Sequence, residues 1–569
     1  MHPLPQRVLT VIKLVITERE RIVSDLIHHL DHWSAFELVG QECPRRVVTR
    51  VKNEIRLGVA DNRSDFCDPS HPISWQKLAV KIVGMHDHDA GGALRRKPRA
   101  GGNDDYDQQH WQEAAHALQF YDMKKLIALL SLLCFSVVVP AQQKETKLFP
   151  YEYTIDDLDN GLRLVTVPTD FPNMVALYIV VQAGSRNEVE PGKSGYAHLF
   201  EHIMFRGSEH YTPEQRDLIL KKAGAESNAS TNFDRTTYYE NFSKEDLEPV
   251  MKLEADRFQR LKYSEAAYKT ESLAVLGEYN KNSADPTEKL DEVLHTTAFT
   301  KHTYAHTTMG FLKDIQDMPN QYNYSLQFYD RFYRPEYTTV LLVGDVRRDQ
   351  ALSLTKKYFG EWKHGSYVSD IPVESPQTAS RTTSVDWNSP TLPWLAVAFK
   401  GPAYSDEKID KAALDLLSPI AFGPNSDLYQ RLVLKEQKVD ALQTDFGNHP
   451  SPELFTVYAR IKSPKDIDYV REQILQTFER FSKEPIDQAK LEATRSRIRY
   501  SLALRMNSSS AIASALAPFI GLRRTPETIN KLFALYQRIT AQDIKAVASQ
   551  YFVPDNQTIV TLTTKGITN

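Results

Sequence analysis

One strand-then-helix pattern occurs twice along this chain, and it constrains the fold more than any other feature. The β-branched run "MVALYIVVQAG" (174–184) has a counterpart in "LPWLAVAFKG" (392–401), and a helical segment follows the second, "DKAALDLLSPIAFG" (410–423). Likewise "FYRPEYTTVLLVGDV" (332–346), a turn entering a buried strand, is echoed by "YFVPDNQTIVTL" (551–562). Repetition on this scale implies two lobes of one ancestral plan. Between the copies lies a polar stretch, "KHGSYVSDIPVESPQTASRTTS" (363–384), with the composition of a linker. The expectation is an α+β fold of two homologous lobes, 142–365 and 385–569, joined by a linker at 366–384. Each lobe is a largely antiparallel sheet backed by helices, and the two are arranged as a clamshell.

Local signals fill in the first lobe. "GLRLVTVP" is bounded by Gly and Pro and reads as a strand. "TPEQRDLILKKAGAE" offers Thr212 as N-cap, Pro213 at the first helical position and Gly224 as the stop. "KEDLEPVMKLEADRFQRL" and "SEAAYKTESLAVLGEYNKN" space their apolar residues by three and four, as helices do.

A net charge of −4, with 25% charged residues, gives no bias towards nucleic acid or an anionic membrane. The cysteines are Cys43, Cys67 and Cys134, so nothing beyond residue 134 can form a disulfide or offer a thiolate. Any metal held there needs His and carboxylate ligands. "MKKLIALLSLLCFSVVVPAQQ" begins at Met123 with two lysines, a 14-residue apolar run and a small-residue exit near Ala141. That is the order of a secretory signal, too short for a membrane span of about 20 residues. It places the signal at 123–141 and implies export to a periplasm. Residues 1–122 hold 9 of the 17 histidines without periodic apolar partners, and read as an upstream, disordered extension outside the native protein.

"YAHLFEHIMF" (196–205) places His198, Glu201 and His202 within five positions of an apolar helical stretch. Desolvating three polar groups is costly unless something pairs with them. His198 and His202 are four apart, hence on one helical face and able to grip one ion. Glu201 stands beside them, as a general base would. The order H-x-x-E-H is a peptidase signature, although a surface helix with two solvated histidines has the same spacing. Glu271 and Glu278, seven apart in "YKTESLAVLGEYNKN", also share one helical face. A solvated charge stripe accounts for that pair as simply as a ligand does. The second lobe has Leu414, Leu417 and Ser418 in the territory of the histidines, so any metal chemistry belongs to one lobe.

With these segments in register, the chain resembles the pitrilysin/insulinase family of inverzincin metallopeptidases. The likeness is to the two-lobed form of the mitochondrial processing peptidase β subunit and its bacterial relatives. It covers about residues 150–569 and rests on HLFEH and Glu278 together with four flanking landmarks. These are "AGSRNEVEPGKSGYAH", "NASTNFDRTTYYENF", "HTYAHTTMGFLKDI" and "FYRPEYTTVLLVGDV". The resemblance implies a zinc-dependent endopeptidase acting on peptides or unfolded segments enclosed between lobes. It implies that His198, His202 and Glu278 bind Zn2+, that Glu201 is the general base for a metal-activated water, and that Glu271 is a supporting acidic catalytic residue. It places substrate backbone against Asn228 and Ala229.

In one respect the sequence departs from the family. Active members carry an Arg and, seven residues later, a Tyr in the second lobe. Within "SDLYQRLVLKEQKVDALQTDF" (426–446), Arg431 is followed at that distance by Lys438, and Lys435 by Leu442. Loss of an oxyanion donor costs about 10²–10³ in rate. The alternative is therefore a non-catalytic or partner-dependent subunit, with a second family chain or a homodimer supplying the pair. Neither nucleic acid nor a stable membrane span is expected.

Overall fold

A computed structural model of the chain describes residues 147–566; the signal-like segment 123–141 and the extension 1–122 lie outside them. The first half runs β1 (Thr154–Asp157), β2 (Arg163–Pro168), β3 (Met174–Val181), α1 (Tyr196–Ile203), α2 (Pro213–Lys222), β4 (Glu226–Thr231), β5 (Thr236–Ser243), α3 (Leu247–Gln259), α4 (Glu265–Asn282), α5 (Pro286–Ala298), α6 (Leu312–Asp317), α7 (Tyr322–Phe332), β6 (Thr338–Gly344) and α8 (Arg348–Phe359). The second runs β7 (Arg381–Trp387), β8 (Trp394–Lys400), α9 (Asp410–Ala421), β9 (Val439–Asp445), β10 (Leu454–Ile461), α10 (Ile467–Lys483), α11 (Gln488–Arg505), α12 (Ser509–Arg523), α13 (Glu527–Arg538), α14 (Ala541–Tyr551) and β11 (Gln557–Thr564).

The first sheet has the order β1-β2-β6-β3-β5-β4 and the second β7-β11-β8-β10-β9. With β1 set aside they match strand for strand. β2 pairs parallel with β6 as β7 does with β11, and every other pairing in both sheets is antiparallel. The chain is thus α+β, with two lobes of one topology, each a largely antiparallel sheet backed by helices, consistent with a two-lobed clamshell. The polar stretch 363–384 lacks regular structure until Arg381, where its last four residues enter β7. Alternating exposure of β7 fits an edge strand with one solvated face.

Each lobe completes its core with a helix from the other. Ile512, Ala513, Leu516 and Ile520 of α12 are buried against Ala176, Tyr178 and Val180 of β3 and Leu341 and Val343 of β6. Reciprocally, Leu290, Leu294 and Ala298 of α5 are buried against Ala396 and Ala398 of β8 and Val560 and Leu562 of β11. Burying a Leu or Ile side chain contributes about 1.5–3 kcal/mol, so these contacts lock the lobes together firmly. The opposite face of the first sheet packs Leu177, Ile179 and Tyr238 against α1 and α3, and α1 is the helix that carries H-x-x-E-H.

Candidate metal centre

The start of α1 is held from several directions. Its N-cap is Gly195 at φ 89, a conformation costly for residues with a Cβ, and glycine has no side chain to cap the helix. Glu188 does so instead, accepting the backbone N–H of Gly195 and of Ala197, both at 2.7 Å. A carboxylate at a helix N-terminus is also favoured by the helix dipole. Ser194 Oγ donates to Asp314 at 2.7 Å and accepts the Phe311 N–H at 2.8 Å. Gly310 presses so close that a Cβ there would stand 2.7 Å from Gly195 N. These contacts account for the runs "AGSRNEVEPGKSGYAH" and "HTYAHTTMGFLKDI".

Tyr196, Leu199, Phe200 and Ile203 are fully buried at the i, i+3, i+4, i+7 spacing of one helical face. His198, Glu201 and His202 occupy the other. Opposite them runs α4, capped by Ser264 Oγ accepting the Ala267 N–H at 3.1 Å. Tyr268, Glu271, Ser272, Val275 and Tyr279 form its buried stripe. The hydroxyls of Tyr196 and Tyr268, 3.2 Å apart, tie the two helices together.

The structure brings His198, His202 and Glu278 to one point, with a donor atom of each within 4.8 Å of the others; no other such group of three exists among the described residues. His198 Nε2 lies 3.6 Å and His202 Nε2 3.4 Å from Glu278 Oε2. Donors around tetrahedral zinc are about 3.4 Å apart, the edge of a tetrahedron with about 2.1 Å from centre to vertex. The donor set and its spacing therefore fit zinc. The imidazole rings stand 4.9 Å apart at 87°, so their nitrogens converge without stacking.

Glu271 sits beside the donors. Its carboxylate is 3.6 Å from His202 Nδ1 and 2.7 Å from Arg206 Nε, so it touches the histidine on the side away from Glu278. Metal-bound imidazoles are oriented by such partners. Glu201 accepts a hydrogen bond from Thr231 Oγ1 at 2.6 Å, which joins α1 to β4. Burial pushes the Glu201 carboxyl above its usual value, with the Thr231 hydroxyl opposing. Burial, aided by His202, drives His198 down to about 4, so it is neutral and free to ligate at neutral pH. His202 is raised by Glu271 against the effect of burial. For Glu271, burial pushes upward, yet His202 and Arg206 hold the carboxyl below the ordinary glutamate value.

Asn228 and Ala229 lie on β4, the free edge of the first sheet. The Asn232 N–H to Arg235 C=O bond at 3.0 Å sets the ladder parity of this hairpin. Ala229 then falls in a non-hydrogen-bonded pair, and its N–H points off the edge. There Asn228 Oδ1 accepts it at 2.9 Å. Sequence reading missed Thr231, Arg206 and Glu188 as parts of this site. Thr231 stands in "NASTNF", but nothing in its spacing announces a carboxylate thirty residues earlier.

In the second lobe, 426–446 forms a helical turn running into a π-helical segment, Gln430–Lys435, and then β9. Lys438 pairs with Asp466, and Arg431 with Gln473, so both cations bond within their own lobe.

The chain is similar in sequence and fold to known proteins. Residues 163–311 match the family described as insulinase (peptidase family M16), and 321–498 match its peptidase M16 inactive domain. A relative named zinc protease PqqE from Helicobacter pylori is 28% identical over 456 residues, covering 78% of this chain and all of that protein. The mitochondrial-processing peptidase subunit beta of Caenorhabditis elegans is 24% identical over 428 residues, covering 73% of this chain and 90% of its own. The crystal structure of a protease from Helicobacter pylori superposes with a TM-score of 0.68 at 28% identity, covering 73% of this chain and 99% of that one.

Proposed function

Since the chain belongs to the insulinase family of peptidases, M16, we propose that it is a zinc-dependent endopeptidase whose chemistry resides in the first lobe. The observation that carries this reading is the convergence of His198 Nε2, His202 Nε2 and Glu278 Oε2 at tetrahedral spacing beside Glu201. When bound, zinc supplies Lewis acidity towards a peptide carbonyl and a water. Glu201 takes the water's proton at a carboxylate oxygen and later returns it to the leaving amine. Its other duties are few, since the Thr231 hydroxyl occupies Oε2 and fixes the rotamer. Glu271 and Arg206 hold the His202 ring in orientation and act as positioning residues. The free edge of β4 aligns an extended peptide by main-chain hydrogen bonds through Ala229, after Asn228 Oδ1 releases its N–H.

One observation favours a partner-dependent form of this enzyme. Arg431 is engaged with Gln473 within the second lobe, and seven residues after Arg431 and Lys435 stand Lys438 and Leu442 rather than tyrosine. A second family subunit, or a second copy of this chain, would complete the site. Among the described residues no helix is long and apolar enough to cross a membrane. We further propose export to a periplasm on the strength of the segment starting at Met123. N-terminal sequencing of the native protein tests this: a start near residue 142 supports export, and retention of residues 1–122 contradicts it. For the enzyme itself, the test is hydrolysis of a quenched peptide alongside metal analysis. Zinc near one equivalent and activity abolished by chelator are expected; turnover indifferent to chelator would refute the reading.

A further inference from the structure

Behind β4, on the sheet face turned away from Glu201, a cavity of about 540 Å³ lies between the first sheet and α12. Strand alternation separates the two faces. Tyr238 belongs to the core around α1, whereas Tyr178 packs with α12. Thr237 and Tyr239 therefore face α12, and the register Asn228↔Tyr239, Ser230↔Thr237 puts Asn228 and Ser230 on that face too. The cavity walls are rich in hydroxyls: Tyr178, Ser230, Thr237, Tyr239, Ser510 and Ser514.

Arg235 reaches this cavity from the β4–β5 turn. Among the described residues its guanidinium has neither a hydrogen bond nor an ion pair. Neighbouring Asp234 is committed elsewhere, accepting from Tyr304 Oη at 2.7 Å and bonding His449 Nδ1 at 2.6 Å. The other acid on the wall, Glu226, already accepts from Asn241 at 3.4 Å. It lies four residues along β4 from Ser230, roughly 13 Å away. The arginine stem is held in place: a Cβ on Gly521 of α12 would stand 2.5 Å from Arg235 Cδ. Glycine is disfavoured inside a helix, yet here it makes the channel through which Arg235 passes. Burial lowers the guanidinium's pKa, with Asp234 opposing. Arg235 is half-buried, so its guanidinium can meet an incoming carboxylate without first giving up a partner.

We propose that this cavity is a specificity pocket that takes an acidic side chain of a peptide lying along β4, with Arg235 as its counterion. The inference rests on the edge-strand reading given above. Paired strands keep opposite residues on the same face. A peptide residue opposite Ala229 or Thr231 faces Glu201, and one opposite Ser230 faces the cavity. The pocket thus reads a residue next in sequence to one held on the catalytic face. Arginine's planar fork suits a carboxylate, and the surrounding hydroxyls can donate to it.

The test uses the Glu201→Gln form of the full chain, zinc-loaded and with any co-purifying subunit. A fluorescent peptide is scanned with Glu against Gln at each position, and binding is read by anisotropy. We expect one position at which Glu binds about tenfold or more tighter than Gln, the range of a hydrogen bond to a charged group. That ratio should fall towards unity in Arg235→Gln, and be partly kept in Arg235→Lys. It should also fall in Gly521→Ala, which displaces the guanidinium without removing it. Absence of any Glu preference, or a preference that survives Arg235→Gln, overturns the proposal. A preference found as described, in a parent protein that cleaves nothing, would instead count against the endopeptidase reading and leave the pocket standing.

Discussion

The helix after β3 carries His198, Glu201 and His202, whereas its counterpart after β8 carries Leu414, Leu417 and Ser418 in an otherwise equivalent setting. Both helices also bond to the edge strand of their own sheet. In the first lobe Thr231 of β4 donates to Glu201 at 2.6 Å; in the second, Ser418 Oγ and Thr444 Oγ1 of β9 lie 2.7 Å apart. Leu414 and Leu417 fill the second core, where imidazoles would be desolvated without a ligand. The scaffold, including its helix-to-edge link, is common to both lobes. What distinguishes the first is a second acidic helix, α4, which brings Glu271 and Glu278 against the histidines.

If the second lobe lacks the oxyanion donor, supplying it should bring the largest gain in rate. Adding a family subunit that bears the Arg and Tyr should raise peptide turnover by on the order of 10² or more. Equal rates for the lone chain and the equimolar mixture would show that this second lobe is sufficient. Next in size, Glu271→Gln weakens the hold on His202 and should cost about 10–100-fold in zinc affinity, measured by competition with a chelating dye. An unchanged affinity would mean that Glu271 has no part in orienting the ligand.

The paired edge-strand links allow a sharper contrast. Thr231→Val removes a hydrogen bond to a carboxylate and should lower kcat about tenfold with zinc content unchanged. Ser418→Ala, which breaks the corresponding link in the second lobe, should leave kcat alone and cost about 1 kcal/mol of stability, read from urea unfolding. The smallest effect concerns the bond between lobes, His449 to Asp234 at 2.6 Å. Burial depresses this imidazole, but Asp234 and Glu453 outweigh it, so its pKa is raised from 6.5. A raised imidazole contributes stability that is fully present below about pH 6.5 and is lost as pH rises through the folded value. The parent should therefore lose this increment between mildly acidic and mildly alkaline buffer, and His449→Gln should flatten the dependence in thermal melts.

Much of the site was legible in the sequence because its parts are local. H-x-x-E-H and the seven-residue spacing of Glu271 and Glu278 are helical periodicities, and both helices form where the spacing predicts. Thr212, Pro213 and Gly224 bound α2 as expected. What could not be read is contact across the chain. Glu188 caps α1 from a preceding loop, Thr231 reaches Glu201 from a strand, and Arg206 bonds Glu271 on another helix. The exchange of α5 and α12 between lobes was equally hidden, because an apolar helical face does not say which sheet it covers. The linker signal faded at its end for a related reason: β7 is an edge strand with one solvated face, so "RTTSVDW" reads as polar as the loop before it.

On this reading the first lobe binds zinc through His198, His202 and Glu278 while Glu201 moves the proton. Its most direct test is zinc content and peptide turnover measured together in His198→Ala and Glu201→Gln, under conditions where the parent cleaves. His198→Ala should lose both zinc and turnover, whereas Glu201→Gln should keep zinc near the parental level and lose turnover by about 10²–10⁴-fold. Parental turnover in Glu201→Gln, or full zinc content in His198→Ala, would contradict it.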